Sequence, residues 1–216
     1  MTEARATARP SSDDRRAAML EIARAAFLRE GYAAASMSEI AIKVGGSKAT
    51  LYSYFPSKKD LFVAVIREEV QRMFAPLFEM DESQGSMRAV LERFAQRFLK
   101  LLLADDAIAF YRLIVAESAR FPEVGQAAFQ LGVQHGTDKL AGCFAAAMER
   151  GDLRRADASV AVRQFLDLCG GELHRKRLFG VVDADDRDAV DKQARNAVAM
   201  FLAAYGVGER SRSPRA

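Results

Sequence analysis

The sequence predicts an all-α protein of about nine helices: a three-helix N-terminal unit holding a helix-turn-helix, then a larger helical C-terminal domain. Three observations carry this. β-Branched alternating runs and Asn-Gly hairpin signals are missing, alanine and leucine recur at helical spacing, and serines and glycines fall where helices open and close. The domain bounds that follow are a flexible arm over 1–11, the helix-turn-helix unit over 12–62 with its motif at about 36–55, the larger domain over 63–206, and a disordered tail over 207–216.

The first helix begins near Ser12-Asp13-Asp14, acidic where the helix dipole favours it, and buries Met19, Ile22, Ala23, Ala26 and Phe27. Gly31 ends it. Ser36-Met37-Ser38-Glu39 reads as a capping box opening a second helix, with Met37, Ile40, Ala41 and Val44 on its inner face. Gly45-Gly46 breaks that helix, Ser47 caps a short third one, and Pro56 stops it. Ser57-Lys58-Lys59-Asp60 reads as another capping box. The long helix it opens carries the stripe Phe62, Val65, Ile66, Val70, Met73 and Leu77, with a kink expected at Pro76. Further helices are expected near 86–103, 105–120, 122–150, 157–179 and 186–205, the one over 122–150 weakened at Gly132 and Gly136 and open to a split before Thr137-Asp138.

Composition narrows the function classes. The chain has 216 residues, 50% apolar and 28% charged, enough to build a substantial core. No run of about eighteen apolar residues exists and the first ten residues lack an apolar stretch, so a cytoplasmic protein with no membrane partner is expected. Cys143 and Cys169 have no metal-ligand spacing. His135 and His174 are far apart, and there is no glycine-rich phosphate loop, so no metal, no cofactor and no enzymatic site are expected. Residues 1–62 hold ten Lys/Arg against seven Asp/Glu, whereas residues 63–216 hold 22 of each. The basic excess of three therefore sits beside the short third helix, which hints at a polyanionic partner, although three charges are also within chance.

That helix is too short to hold itself together in water. Leu51 and Phe55, four apart, form its inner edge, which places Lys48, Ala49, Tyr52 and Ser53 on the outer face. Such a face suits a DNA major groove: lysine meets guanine acceptors, alanine a thymine methyl, and tyrosine a phosphate or sugar. Thr50 and Tyr54 flank it as phosphate donors. Ser38 on the second helix and Ser47 at the third helix's cap complete the set, and Lys58 beside the next helix N-terminus is expected to reach a further phosphate.

These residues resemble the TetR/AcrR family of bacterial regulators. The family pattern matches Gly31-Tyr32, Ile40-Ala41, Gly45-Gly46-Ser47, Thr50-Leu51-Tyr52, Tyr54-Phe55, Ser57-Lys58 and Asp60-Leu61, in register across about 13–62. Gly46 departs from the usual valine and Val44 from the usual alanine, which suggests compensating repacking. A weaker similarity, over Tyr111 to Glu123, is to regulators with an AefR-like C-terminal domain. The resemblance implies a repressor that binds palindromic operator DNA as a homodimer and is released by a small-molecule inducer held in the C-terminal domain. A helical small-molecule sensor or carrier without operator binding is the alternative.

In the C-terminal half, Val162, Phe165, Cys169 and Leu173 line one helix and Val190, Ala194, Ala197, Val198, Phe201 and Tyr205 another. These two stripes are the expected dimer seam, with an intramolecular helical hairpin as the competing reading. Phe74, Phe98, Phe110, Phe129, Phe144 and Phe165 are the expected lining of an apolar inducer site. His135, Gln164, Asp167 and His174 are its candidate polar anchors. Arg175-Lys176-Arg177 reads as a solvated helix end.

Overall fold

A computed structural model describes residues 11–78, 85–183 and 186–207; the side chains of 74–76, 78, 133 and 135 are not among those described. The expected arm before residue 11, the tail after residue 207, and the side chains of Phe74 and His135 lie outside the described residues, and the helix from Lys58 runs past Pro76 to Phe78 without a break. Ten α-helices and one π-helical turn are present among them: α1 (Ser12–Ala34), α2 (Met37–Val44), α3 (Lys48–Tyr54), α4 (Lys58–Phe78), α5 (Met87–Leu102), α6 (Asp105–Ser118), α7 (Pro122–Ala128), the π turn (Phe129–Gln134), α8 (His135–Arg150), α9 (Ala158–Leu178) and α10 (Arg187–Tyr205). The expected helix over 122–150 is thus present as α7, the π turn and α8. The glycine-weakened stretch is accommodated by widening the helix rather than by breaking it.

The chain divides into two compact units. One contains residues through Glu69 together with Leu113–Ala128; the other contains Val70–Arg112 and Phe129 onward. The boundary expected after Phe62 is itself inside α4, and by packing the first unit runs on along that helix to Glu69. Its stripe continues beyond Phe62, with Leu61, Phe62, Val65 and Ile66 each at most 1% exposed.

In the first unit, α1 opens with a reciprocal cap that the sequence reading missed. Ser11 Oγ accepts from Asp14 N–H at 3.0 Å, and Ser11 N–H donates to the Asp14 carboxylate at 3.0 Å. The Ser11 hydroxyl and, after it, the Ser11 N–H hold the Asp14 carboxyl below its usual range. Gly31 breaks the α-helical path at φ 80°, ψ 163°, where the sequence places its stop. Met19, Ala23, Ala26 and Phe27 are buried, and Phe27 meets Phe62 edge-on at 4.7 Å between ring centres. Arg24 Nε lies 2.6 Å from Glu69 Oε1, a buried ion pair joining α1 to α4. Its sequence signal was available: Glu69 occupies an inward position, three and four residues after Ile66 and Val65. Breaking such a pair strands a buried charge, which costs about 3–5 kcal/mol.

The core of the second unit is built by α5, α8, α9 and α10. Phe165 is at its centre, with ring centres of Phe94, Phe144 and Phe201 at 6.0, 5.8 and 5.0 Å. Tyr205 stacks on Phe201 at 4.8 Å and donates to Gln164 Oε1 at 2.6 Å. α9 leaves the helical path at Gly171, and the Leu168 carbonyl near the break accepts from Gln193 on α10 at 2.7 Å.

This packing corrects the expected dimer seam. Val162, Phe165, Cys169, Val190, Ala194, Ala197, Val198, Phe201 and Tyr205 are all buried within the single chain, and Leu173 is half-buried. Both stripes face their own core, so they are not available to a second copy. Two other expectations change as well. Phe129, at the start of the π turn, is 59% exposed and so does not line an interior site. Arg177 is not a solvated helix end: its Nε donates to Leu103 O at 3.1 Å and it pairs with Asp105.

Phe98, Phe110, Phe144 and Phe165 are buried. Burial lowers the His174 imidazole, whose ring meets Tyr111 edge-on at 5.3 Å, and pushes the Cys169 thiol up to about 12, leaving it neutral and unreactive at physiological pH. Because Phe201 is 1% exposed inside one chain, Phe201→Glu is expected to unfold the second unit. A loss exceeding about 4 kcal/mol in urea denaturation checks this; a folded monomer would return Phe201 to an interface.

Candidate nucleic-acid interface

The short helix α3 is built as its sequence demands. Ser47 Oγ accepts from Thr50 N–H at 3.1 Å, which satisfies one of the helix's free donors. The far end closes with Phe55 N–H on Leu51 O at 2.9 Å, and Pro56 follows. Leu51 and Phe55 are 1% and 3% exposed. On the opposite face Lys48, Ala49, Tyr52 and Ser53 are exposed together, as expected. Lys48 Nζ stands 5.8 Å from the Tyr52 ring centre, which gathers a cation and an aromatic hydroxyl at one place.

The flanking residues divide by how their polar groups are used. Thr50 Oγ1 is 2.9 Å from Ser47 Oγ, and Ser53 Oγ donates to Thr50 O at 2.7 Å. Tyr54 is half-buried, its hydroxyl 3.1 Å from Ser12 Oγ, so it ties α3 to α1. Ser38 is half-buried on α2.

Lys58 departs most from expectation. Its ammonium donates to Ala33 O at 2.9 Å and Ala35 O at 3.3 Å, and stands 5.0 Å from the Tyr32 ring centre. Two of its three donors therefore hold the turn between α1 and α2, while Lys59 stays exposed. A lysine stem is long enough to fold back, and nearby carbonyls without helical partners attract it. Ser57 does cap α4, accepting from Asp60 N–H at 3.1 Å and donating to the Asp60 carboxylate at 2.7 Å. The box expected at Ser36 is not formed: its side chain makes no capping bond, and the first turn of α2 closes through Ile40 N–H on Ser36 O at 3.0 Å.

The two turn glycines differ in kind. Gly45 is left-handed at φ 74°, a conformation that penalises any side chain. Gly46 is not, and a Cβ built there meets only Thr50 Cβ at 3.9 Å, so neither backbone nor space requires glycine. No compensating exchange with half-buried Val44 is needed.

Gly46→Ala is accordingly expected to raise stability by about 0.4–1 kcal/mol, read from the urea midpoint at unchanged slope. Leu51→Ala is expected to cost about 2–5 kcal/mol, while Lys48→Ala and Tyr52→Ala cost less than about 1 kcal/mol. A large loss in either of the last two would place those side chains in the core.

The larger part of the chain, residues 89–207, matches the family described as AefR-like transcriptional repressor, C-terminal domain. Residues 19–65 match that of bacterial regulatory proteins, tetR family. Among curated relatives, the HTH-type transcriptional activator FasR of Mycolicibacterium smegmatis is 36% identical over 86 residues, 38% of this chain and 39% of that protein. The HTH-type transcriptional regulator RutR of Escherichia coli is 33% identical over 100 residues, 46% of each chain. The chain spans less than half the length of these curated relatives. Among solved structures, the Flavonoid-responsive Regulator FrrA is 31% identical with a TM-score of 0.81, covering 94% of this chain and all of that one. A TetR transcriptional regulator from Agrobacterium tumefaciens is 28% identical with a TM-score of 0.71, covering 90% and 96%. A capped reading helix with an exposed Lys48–Tyr52 face, a helical second unit and matches along both parts together place this chain in the TetR family of transcription regulators, which are not enzymes.

Proposed function

We propose that this protein is a cytoplasmic repressor that binds palindromic operator DNA as a homodimer and leaves it when a small, mostly apolar inducer binds its second unit. One observation carries the reading: Lys48, Ala49, Tyr52 and Ser53 form a single exposed face on a helix whose opposite edge is fully buried. A fixed α-helix presenting a cation, a methyl group and a phenol is what base-edge reading in the major groove needs.

Pairing of two copies is supported by the outer face of α10. There Ala199, Met200, Ala203 and Ala204 are exposed, Met200 to 64%. Small and flexible apolar side chains at helical spacing permit close helix approach, and they stand opposite the stripe that serves the chain's own core. The inducer's apolar character is supported by the phenylalanine-rich second unit. Because FrrA is named as flavonoid-responsive, flavonoids are the first compounds to test. FasR is named as an activator, so the direction of regulation is a separate measurement from DNA binding.

The first test is a gel shift and footprint on DNA upstream of the protein's own gene. A palindrome with half-sites about one helical turn apart, or somewhat more, is expected. Lys48→Ala or Tyr52→Ala should cost about 1–3 kcal/mol per half-site and relax preference at a few base pairs. No shift on any such fragment would favour a sensor or carrier without operator binding. A compound that binds is then titrated calorimetrically with and without operator. Coupling of about 3 kcal/mol lowers operator affinity on the order of a hundredfold, and linkage requires operator to weaken the compound's binding by the same factor. Equal affinities in both titrations would overturn release by induction.

A further inference from the structure

Residues Leu113–Ala128 belong to the compact unit that carries the reading helix, although they lie far along the chain, inside the stretch that matches the C-terminal domain family. What they touch there is the turn between α1 and α2. Glu117 Oε1 accepts from Ala33 N–H at 3.4 Å. Phe121 meets Tyr32 edge-on, with ring centres 4.8 Å apart. Tyr32 is 4% exposed and also packs against Phe27 and Phe62. Burial raises the Tyr32 phenol above its usual value, and the charges of Glu123, Asp60 and Glu117 raise it further, which fits carboxylates gathered around this turn.

The Ala33 peptide is thereby gripped at both ends. A carboxylate takes its N–H, and the Lys58 ammonium takes its C=O at 2.9 Å. The Lys58 bond has the length of a charge-assisted hydrogen bond and the Glu117 bond, at 3.4 Å, is longer; their opposite signs match the two ends of the peptide dipole. Gly31 makes room for the first. Its φ is 80°, which penalises any side chain, and a Cβ on it would stand 2.8 Å from Glu117 Oε1, so the carboxylate would have to move away. Only Ala35 and Ser36 separate this turn from α2. Because the Ser36 side chain does not cap α2, the start of that helix takes its position from the turn, through buried Ala35 and Met37. α3 packs on α2, so a displaced turn displaces the reading face.

We infer that Glu117 is a positioning residue for operator reading: from α6 it fixes the Gly31–Ala35 turn, and with it the placement of α2 and α3. The inference rests on the DNA-binding reading above. It gives a residue outside the helix-turn-helix sequence a part in reading specificity, exerted through the turn.

The test compares the wild type with Glu117→Ala and Glu117→Gln, all as full-length protein. The DNAs are the fragment upstream of the protein's own gene and an unrelated fragment of equal length. Glu117→Ala is expected to lose about tenfold in affinity for the first and less than about twofold for the second, because phosphate contacts tolerate a displaced head better than base contacts do. Glu117→Gln keeps an acceptor at the same place and should recover all but about threefold. Amide exchange over Tyr32–Met37 should quicken in Glu117→Ala while α10 stays protected, which a general loss of stability would not produce. Gly31→Ala supplies an independent arm. Its defect should be relieved in part when Glu117→Ala is added, since the clash partner is then gone. A Glu117→Ala protein that discriminates the two DNAs as well as the wild type, with unchanged exchange at the turn, would overturn the inference. Wild-type protein that cannot tell the fragments apart would instead overturn the DNA-binding reading, and the inference with it.

Discussion

A helix of seven residues that must hold its shape while its outer face stays free is the constraint on which this structure depends. α3 is below the length at which a helix persists alone. Burial of Leu51 and Phe55, worth about 1.5–3 kcal/mol each, together with the Ser47 cap at about 1 kcal/mol, supplies what the helix itself lacks. The burial needs walls, and the length of α1, the buried Ile40–Ala41 face of α2 and the Tyr54–Ser12 contact provide them. Once the inner edge is fixed, the outer residues follow from helical geometry, and none of them is needed for stability.

Much of this was legible in the sequence because it is local. Gly31, Gly45 and Gly151 all stand at positive φ where helices were expected to end, and Ser47 caps where a cap was expected. Two local signals misled, the second because a longer-range competitor exists. Ser36 has the residue type and spacing of a capping box, but its side chain does not make the bond. Lys58 has the position of a phosphate-binding lysine, yet the carbonyls of Ala33 and Ala35 lie within its reach. Sequence spacing shows what a residue is able to do on its own helix. It does not show which acceptor from an earlier turn arrives beside it.

The dimer seam failed for a different reason. An apolar stripe at helical spacing says that one face is buried, and it says the same thing whether the burying partner is the same chain or a copy. On α10 the large stripe of Val190, Val198, Phe201 and Tyr205 serves the chain's own core, leaving Met200 and its alanine neighbours outward. The outer set is weaker by hydropathy and is easily passed over beside the inner one. Phe129 shows the companion limit: a large apolar side chain is not thereby an inward one, and this one is exposed where the helix widens into a π turn.

Sequence domains and packing units therefore divide this chain at different places. The family matches stop at residue 65 and resume at 89, as if the reading unit ended with the first part of α4. By packing, that unit also needs Leu113–Ala128, because Tyr32 has one aromatic neighbour, Phe121, that the first 69 residues do not contain. A fragment cut after Phe62 would keep every residue of the helix-turn-helix and lose Val65, Ile66 and Glu69 from below it, and Glu117 and Phe121 from beside its turn. The motif is a sequence unit. The object that presents it to a partner is larger, and it is completed by residues whose sequence neighbours build the second core.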